Sequence, residues 1–431
     1  MKIKKMILPL LLTIAVLISI FLSMIIWINP SSYQNVNKSS INDSNENYKK
    51  TLPSVYSPTQ VVKNDYTGAQ YVLTNQSVNL ISEIRTQMLS FSDFKFSKLE
   101  NFSLKNYKNF MNRKNSLMLN YPDTVTTNIL SRVLNDNLKN LPNVDFNRIL
   151  IPLDDNTSIY LLHDDSKTVY KISLKNDNLN KIKDIISKDV RQIPVNTYFK
   201  NNKPMIAFTK SFYMPQYSYL YNTSSQNFFV NRLLPGSNTP PKRHHNTTIY
   251  NDQDKRITFN EKNHEAVYLD SMANPASSDL SQFLVQSYKN ISNLGLGNNL
   301  NSIRYFNYND KNTDITYRNY VEGFPIFDND SNGALQMRII DNVSVRYTFS
   351  LDVLQTPVPS GKKDLKMIST KQVVNNLVNL GYDIKKIGTV ELGYQSIKVG
   401  SANMLINLKP TWFVQYNGKW INYNKATQNQ Y

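Results

Sequence analysis

Few residues in this chain are of the kinds that do chemistry. It has four histidines and no cysteine in 431 residues, so thiolate metal sites and cysteine nucleophiles are excluded. His163-Asp164-Asp165 sets an imidazole beside two carboxylates at the end of an apolar stretch. Those are the ingredients of a metal site or an acid–base pair, but a double aspartate after a strand reads better as a solvated turn. His244-His245 stands beside Lys242 and Arg243, whose charge disfavours a bound cation. His264-Glu265 opens like the H-E-x-x-H helix of zinc peptidases, yet Tyr268 occupies the place of the second histidine. Gly295-Leu296-Gly297 lacks the third glycine of a dinucleotide loop and follows a helical pattern, so it reads as a helix stop. There is no G-x-S-x-G elbow and no Walker loop. We assign no catalytic, metal or cofactor residues, and expect no enzyme and no cofactor.

The elements that organise the chain begin with Met6 to Ile28, an uncharged apolar run. A membrane-spanning helix needs about 20 such residues to cross about 30 Å of hydrocarbon. Lys2, Lys4 and Lys5 precede the run, and no charge follows until Lys38. The positive-inside rule therefore puts residues 1–5 in the cytoplasm and the bulk of the chain outside the cell membrane. The run is longer than a signal-peptide core of about 7–15 residues and lacks a small-x-small cleavage pattern, so we read an uncleaved single-pass anchor. Ala15, Ser19 and Ser23 recur every four residues, a small-residue packing face on which a partner helix can dock.

Composition narrows the remainder. Hydrophobic residues make up 40%, with 27 Tyr and 19 Phe, so a sizeable core is expected. The formal charge is +17. Outside a cell the polyanions to meet are lipid head groups and anionic envelope polymers, not nucleic acid. A cysteine-free exported chain suits a bacterium that does not rely on extracellular disulfides.

Residues 29–53, rich in Asn and Ser, read as a flexible stalk. Beyond it we expect a multidomain α+β region: 54–165 as an N-terminal domain, 166–273 as a middle domain and 274–431 as a C-terminal domain. Helices are predicted over Asn75–Ser90, Thr124–Leu134 and Leu179–Val190 from their apolar spacing. In the last region Ser278–Ile291 is amphipathic, and Ser369-Thr370-Lys371-Gln372 is a capping box opening a second helix that stops at Gly381. Strands follow each helix, which predicts duplicated helix-on-antiparallel-sheet units. Gly323 and Pro325 interrupt a strand, so Glu322, Gly323, Phe324 and Pro325 are a candidate partner-binding edge, against the plainer reading of a bent strand packing its phenylalanines inward. Trp412 reads as core, and Trp420 as either core or a ligand platform.

Several stretches resemble one family. Tyr317-Arg318-Asn319-Tyr320-Val321-Glu322-Gly323-Phe324-Pro325-Ile326-Phe327 resembles the Y-x-x-Y-V-E-G-x-P-V-F strand of YycH proteins. Leu408-Lys409-Pro410-Thr411-Trp412-Phe413-Val414, with Tyr416 and Gly418-Lys419-Trp420, is similar to that family's closing motif. Residues 227–238, 247–259 and 268–275 resemble its middle segment, although Leu234-Pro235-Gly236-Ser237 replaces a usual acidic L-F-x-D-P. The resemblance implies an accessory membrane regulator in Gram-positive bacteria. It would tune the cell-wall-homeostasis sensor kinase WalK (YycG), which phosphorylates WalR, together with the sister single-pass protein YycI. It also implies a YycI-like C-terminal domain, and contacts between transmembrane helices. The alternatives from composition are an extracytoplasmic binder of anionic wall polymer or lipid, and a membrane-tethered wall hydrolase.

Overall fold

Long apolar strands that bury both faces set the architecture, here seen in a computed structural model. The structure describes residues 52 to 428, apart from 77, 92, 100–101, 139, 156, 176–178, 188–189, 237–238, 274–278, 297–302, 311–312, 329–333, 342 and 401–403. The expected anchor with Ala15, Ser19 and Ser23, and the stalk up to 51, lie outside the described residues. Among the described residues no helix is long and apolar enough to cross a membrane.

The strand Asp145–Pro152 shows why the first sheet forms. Its run of Ile149, Leu150 and Ile151 is buried throughout, with Ile149 and Ile151 in one core and Leu150 in the other. A period of two in side-chain direction requires partners above and below. Among the described residues nine antiparallel strands make this sheet, from Phe94–Lys98 at one end of the order to Lys203–Phe208 at the other, with Gln60–Asn64 near the middle. The helices Leu80–Met88, Thr127–Val133 and Asn180–Ser187 bury their apolar stripes in one core, and Leu104–Met111 in the other.

Among the described residues the second sheet has 14 strands. A meander, Thr247–Asp252, Lys255–Asn260 and Glu265–Asp270, pairs onward to Val345–Ser350, Leu335–Ile339 and Asp314–Val321. The short strand Phe324–Phe327 then joins this half to Ile387–Val399, which pairs with Leu405–Tyr416. The helix Leu280–Asn293 packs in the first core and Thr370–Asn379 in the second. Asp279 caps the former by accepting from the Gln282 amide at 2.9 Å. The capping box of the latter is formed, with the Ser369 amide donating to Gln372 at 3.0 Å. Gly381 ends that helix at φ 89°, a left-handed position that glycine adopts without penalty.

Strand pairing crosses the positions at which the sequence suggested domain boundaries. Thr168–Leu174, Arg191–Lys200 and Lys203–Phe208 complete the first sheet, past the boundary placed at 165. The meander at 247–270 belongs to the second sheet, before the boundary placed at 273. Each core also runs across both sheets, since Val61 and Ile257 share one, and Val62 and Trp412 the other. Within the predicted helix Thr124–Leu134, the chain stays extended to Thr126 because its partner strand continues to Asp145. Val78, expected on a buried helical face, is 41% exposed ahead of the helix start at Leu80.

Candidate functional site

The first described residues enter the seam where the two sheets meet. Residues 52–55 make one helical turn, closed by the Tyr56 amide donating to the Leu52 carbonyl at 3.1 Å. Leu52, Val55 and Tyr56 are buried, so Leu52, at the end of the expected stalk, is part of the packed body. The Tyr56 hydroxyl donates to the Leu284 carbonyl at 2.7 Å and lies 2.9 Å from the Tyr317 hydroxyl and 3.2 Å from Ser287 Oγ. Its ring meets those of Tyr288, Tyr305 and Tyr317 at centroid distances of 6.4, 5.7 and 6.3 Å. Burial pushes the Tyr56 and Tyr317 hydroxyls well above their ordinary range, so both stay neutral donors. A few residues on, the Thr59 amide donates to Asn120 and the chain becomes a strand of the first sheet. One short segment therefore touches both sheets and the Leu280–Asn293 helix.

The opposite lip of the seam is also pinned. The Tyr308 amide donates to Asp123 Oδ2 at 3.0 Å, and the Tyr305 hydroxyl to the Thr124 carbonyl at 3.1 Å. Burial raises the Asp123 carboxyl, against the lowering effect of the two backbone amides it accepts from.

Glu322, Gly323, Phe324 and Pro325, the candidate partner-binding edge, sit in this seam too. Val321 pairs with Phe324 across a two-residue turn in which Glu322 and Gly323 have φ of 50° and 86°. Both central residues at positive φ is the type I′ pattern, which suits the twist of a hairpin. The strand that follows is hydrogen-bonded on both sides, antiparallel to Asp314–Val321 and parallel to Ile387–Val399. Gly323 presses on the first sheet: a Cβ there would lie 2.4 Å from the Thr59 carbonyl oxygen. The Glu322 carboxyl accepts from the Tyr217 hydroxyl, and its other oxygen is buried without a hydrogen bond. Burial raises that carboxyl above the usual range, against the lowering effect of the Tyr217 hydroxyl it accepts from.

Two family profiles match nearly end to end. Residues 5–191 match the family described as YycH protein, N-terminal domain, and residues 202–428 that described as YycH protein, C-terminal domain. The chain belongs to the YycH family. The crystal structure of YycH from Bacillus subtilis superposes with a TM-score of 0.68 at 16% identity, covering 86% of this chain and 96% of that one. That likeness shows a shared fold. An uncharacterized protein from Eubacterium rectale reaches a TM-score of only 0.28 at 8% identity, over 53% of this chain and 88% of that one. Comparison with curated proteins found no match. Membership of the YycH family points to a regulatory role in the WalK (YycG) system, and the family is one of accessory regulators rather than a known enzyme family.

The histidines of this YycH-family chain find structural partners. Asp164, read from sequence as a solvated turn, is only 9% exposed. It accepts from Arg148 Nε at 3.0 Å and from the Tyr107 hydroxyl at 2.8 Å, while Arg148 also reaches Asn120. A buried carboxylate of this kind must be paired, and the guanidinium supplies the pair. His264 Nδ1 lies 2.7 Å from Asp352 Oδ1, a carboxylate that also accepts from Thr223 and pairs with Lys398. Sequence reasoning missed this cluster because Asp352 is 88 positions away. Among the described residues no group of three or more histidines and carboxylates is arranged to hold a metal.

Proposed function

We propose that this chain is a membrane-anchored accessory regulator that modulates the cell-wall sensor histidine kinase WalK (YycG), together with a YycI-like single-pass protein. The kinase and the sister protein dock along Ala15, Ser19 and Ser23 of a transmembrane helix at 6–28, and the external body adds extracytoplasmic contacts. The two helix-on-sheet units opened by Leu280–Asn293 and Thr370–Asn379 are, on this reading, a duplicated YycI-like module. Family membership over both halves of the chain supports the class of function.

The observation that carries the mechanism is the Tyr56 clamp. Residues 52–59, which follow the expected stalk, are gripped by both sheets and by a helix, so the point of the body nearest the anchor in sequence is tied to both halves of the fold. Regulation is then a population shift, in which docking favours one kinase state by the difference in contact energy between the two.

The test is a membrane co-purification from the native bacterium, with the wild-type anchor and with Met6–Ile28 replaced by an unrelated span. The reading expects the kinase and a sister single-pass protein with the wild type and their loss with the swap. Recovery of neither partner by the wild type, with envelope polymer in their place, would overturn it in favour of a polymer-binding protein.

A further inference from the structure

The outer face of the meander carries charge that neither the cores nor the seam uses. Along these strands every second side chain turns inward, so Ile257, Phe259, Tyr268, Tyr347 and Phe349 lie in the first core. The alternate positions face out, and the register draws their cations into one row. Arg256 pairs with Leu269, Leu269 with Arg346, and Arg346 with Arg338, on four successive strands. Neighbouring strands lie about 4.8 Å apart, so the row is about 14 Å long. All three arginines are exposed. Beside Thr247–Asp252, the strand Lys242–His244 adds exposed Lys242, opposite Ile249 on the same face.

The row is poorly neutralised. Asp314 offsets one charge, pairing with Arg338 at 3.1 Å. Among the described residues the Arg346 side chain makes no hydrogen bond or ion pair, and that of Arg256 donates to Asn251 Oδ1 at 2.8 Å without meeting a carboxylate. Asp254, exposed in the turn before Arg256, makes no ion pair with it. Asp270, next to Leu269, accepts from the Tyr268 hydroxyl and the Met272 amide. Glu265 shares the outer face but lies four residues along its strand from Leu269, about 13 Å from the row. Like charges directly opposite each other destabilise a sheet, and Arg338 and Arg346 are such a pair.

We propose that this outer face binds a linear phosphodiester polymer, laid across the strands along the arginine row. Lysine is far commoner than arginine in this chain, yet the row is all arginine, whose planar fork fits oxyanions in pairs of hydrogen bonds. Two residues along on the same face stand Thr258, Thr348 and Gln336, further donors for phosphate oxygens. A protein partner would want an aromatic anchor, and the aromatic rings of the meander point into the core. A single line of charge matches an extended chain better than a bilayer, which would meet a broad patch. The face lies on the far side of the sheet from the core, so the site stands or falls apart from kinase docking.

The experiment is fluorescence anisotropy with labelled poly(glycerol phosphate) and the full-length protein in phosphatidylcholine nanodiscs. Three phosphate contacts predict saturable binding that weakens about 15- to 20-fold between about 50 and 200 mM salt. Arg346→Gln and Arg256→Gln should each weaken binding at least about threefold at low salt and reduce the salt slope by about 0.7. Both positions are exposed, so either variant decides the matter should the other fail to fold. Lys105→Gln, an equal loss of charge on an exposed helix position of the first sheet, should bind as wild type. No saturable binding, or an equal loss with Lys105→Gln, would overturn the proposal. So would unchanged binding by both arginine variants, tighter binding of polyglutamate, or capture by phosphatidylglycerol vesicles without binding of the polymer. Partner recovery is scored on a separate preparation, so failure of polymer binding with the kinase still recovered refutes this assignment alone.

Discussion

Replacing Tyr56 by Phe removes one hydroxyl from the seam and leaves the ring in place. The magnitude follows from what the lost partners do next. Ser287 Oγ already donates to the Leu284 carbonyl at 2.9 Å and lies 2.9 Å from the Tyr317 hydroxyl. No buried polar group is therefore stranded, and the loss is that of ordinary net hydrogen bonds, about 1–2 kcal/mol in all. Tyr56→Ala also empties a fully buried ring site and should destabilise by about 3–5 kcal/mol. The assay is native-state hydrogen exchange on the full-length protein, because a chain of this size need not unfold in two states. Protection should fall together in the Leu280–Asn293 helix and the Gln60–Asn64 strand. In a double-mutant cycle, Tyr56→Phe and Tyr317→Phe should couple by about 0.5–1.5 kcal/mol. Additive effects, or lost protection confined to residues 52–59, would refute the claim that this tyrosine joins the sheets. In cells, Tyr56→Ala should retain the kinase in pull-downs while abolishing its regulation.

Two further substitutions, one at the seam and one at Glu391 in the strand Ile387–Val399, test different physics. Gly323→Ala puts a Cβ 2.4 Å from the Thr59 carbonyl oxygen at a φ of 86°, so clash and backbone strain act together. A loss of more than about 2 kcal/mol is expected from the shift of the urea midpoint, and a neutral result would mean the two sheets can separate there. Burial pushes the Glu391 carboxyl up to about 7, against about 4.3 in an unfolded chain. Its folded pKa is raised, so the native state holds the proton more tightly, and stability falls as pH rises from about 4 to about 7. Glu391→Gln should remove that slope and gain up to about 3 kcal/mol at pH 8 while changing little at pH 4. Equal gains at both pH values would show that the effect is packing and not charge.

What was legible in the sequence was local. Ser369 and Gln372 announce a helix start because a capping box needs only four consecutive residues, and Gly381 announces its stop for the same reason. The apolar stripe of Leu280, Phe283, Leu284, Ser287, Tyr288 and Ile291 appears on the helix with all but the half-buried Leu280 fully buried. Sheet membership was not legible, because strand partners are chosen by long-range register. The strand Lys203–Phe208 closes the first sheet and not a middle domain, and nothing in its own six residues says so. Asp164 misleads in the same way: a double aspartate looks solvated until Arg148, on a neighbouring strand, is placed against it.

The seam explains why its own residues looked like something else. Glu322 and Gly323 carry the signature of an interrupted strand, and the interruption is a turn whose tip must approach Thr59, some 260 positions earlier near the start of the expected N-terminal domain. The role of Tyr56 is not legible locally because its partners lie 228 and 261 positions away. Contacts of that range cost the most loop entropy to form and reward it only once both sheets exist. The junction should therefore be assembled late in folding, once both sheets exist.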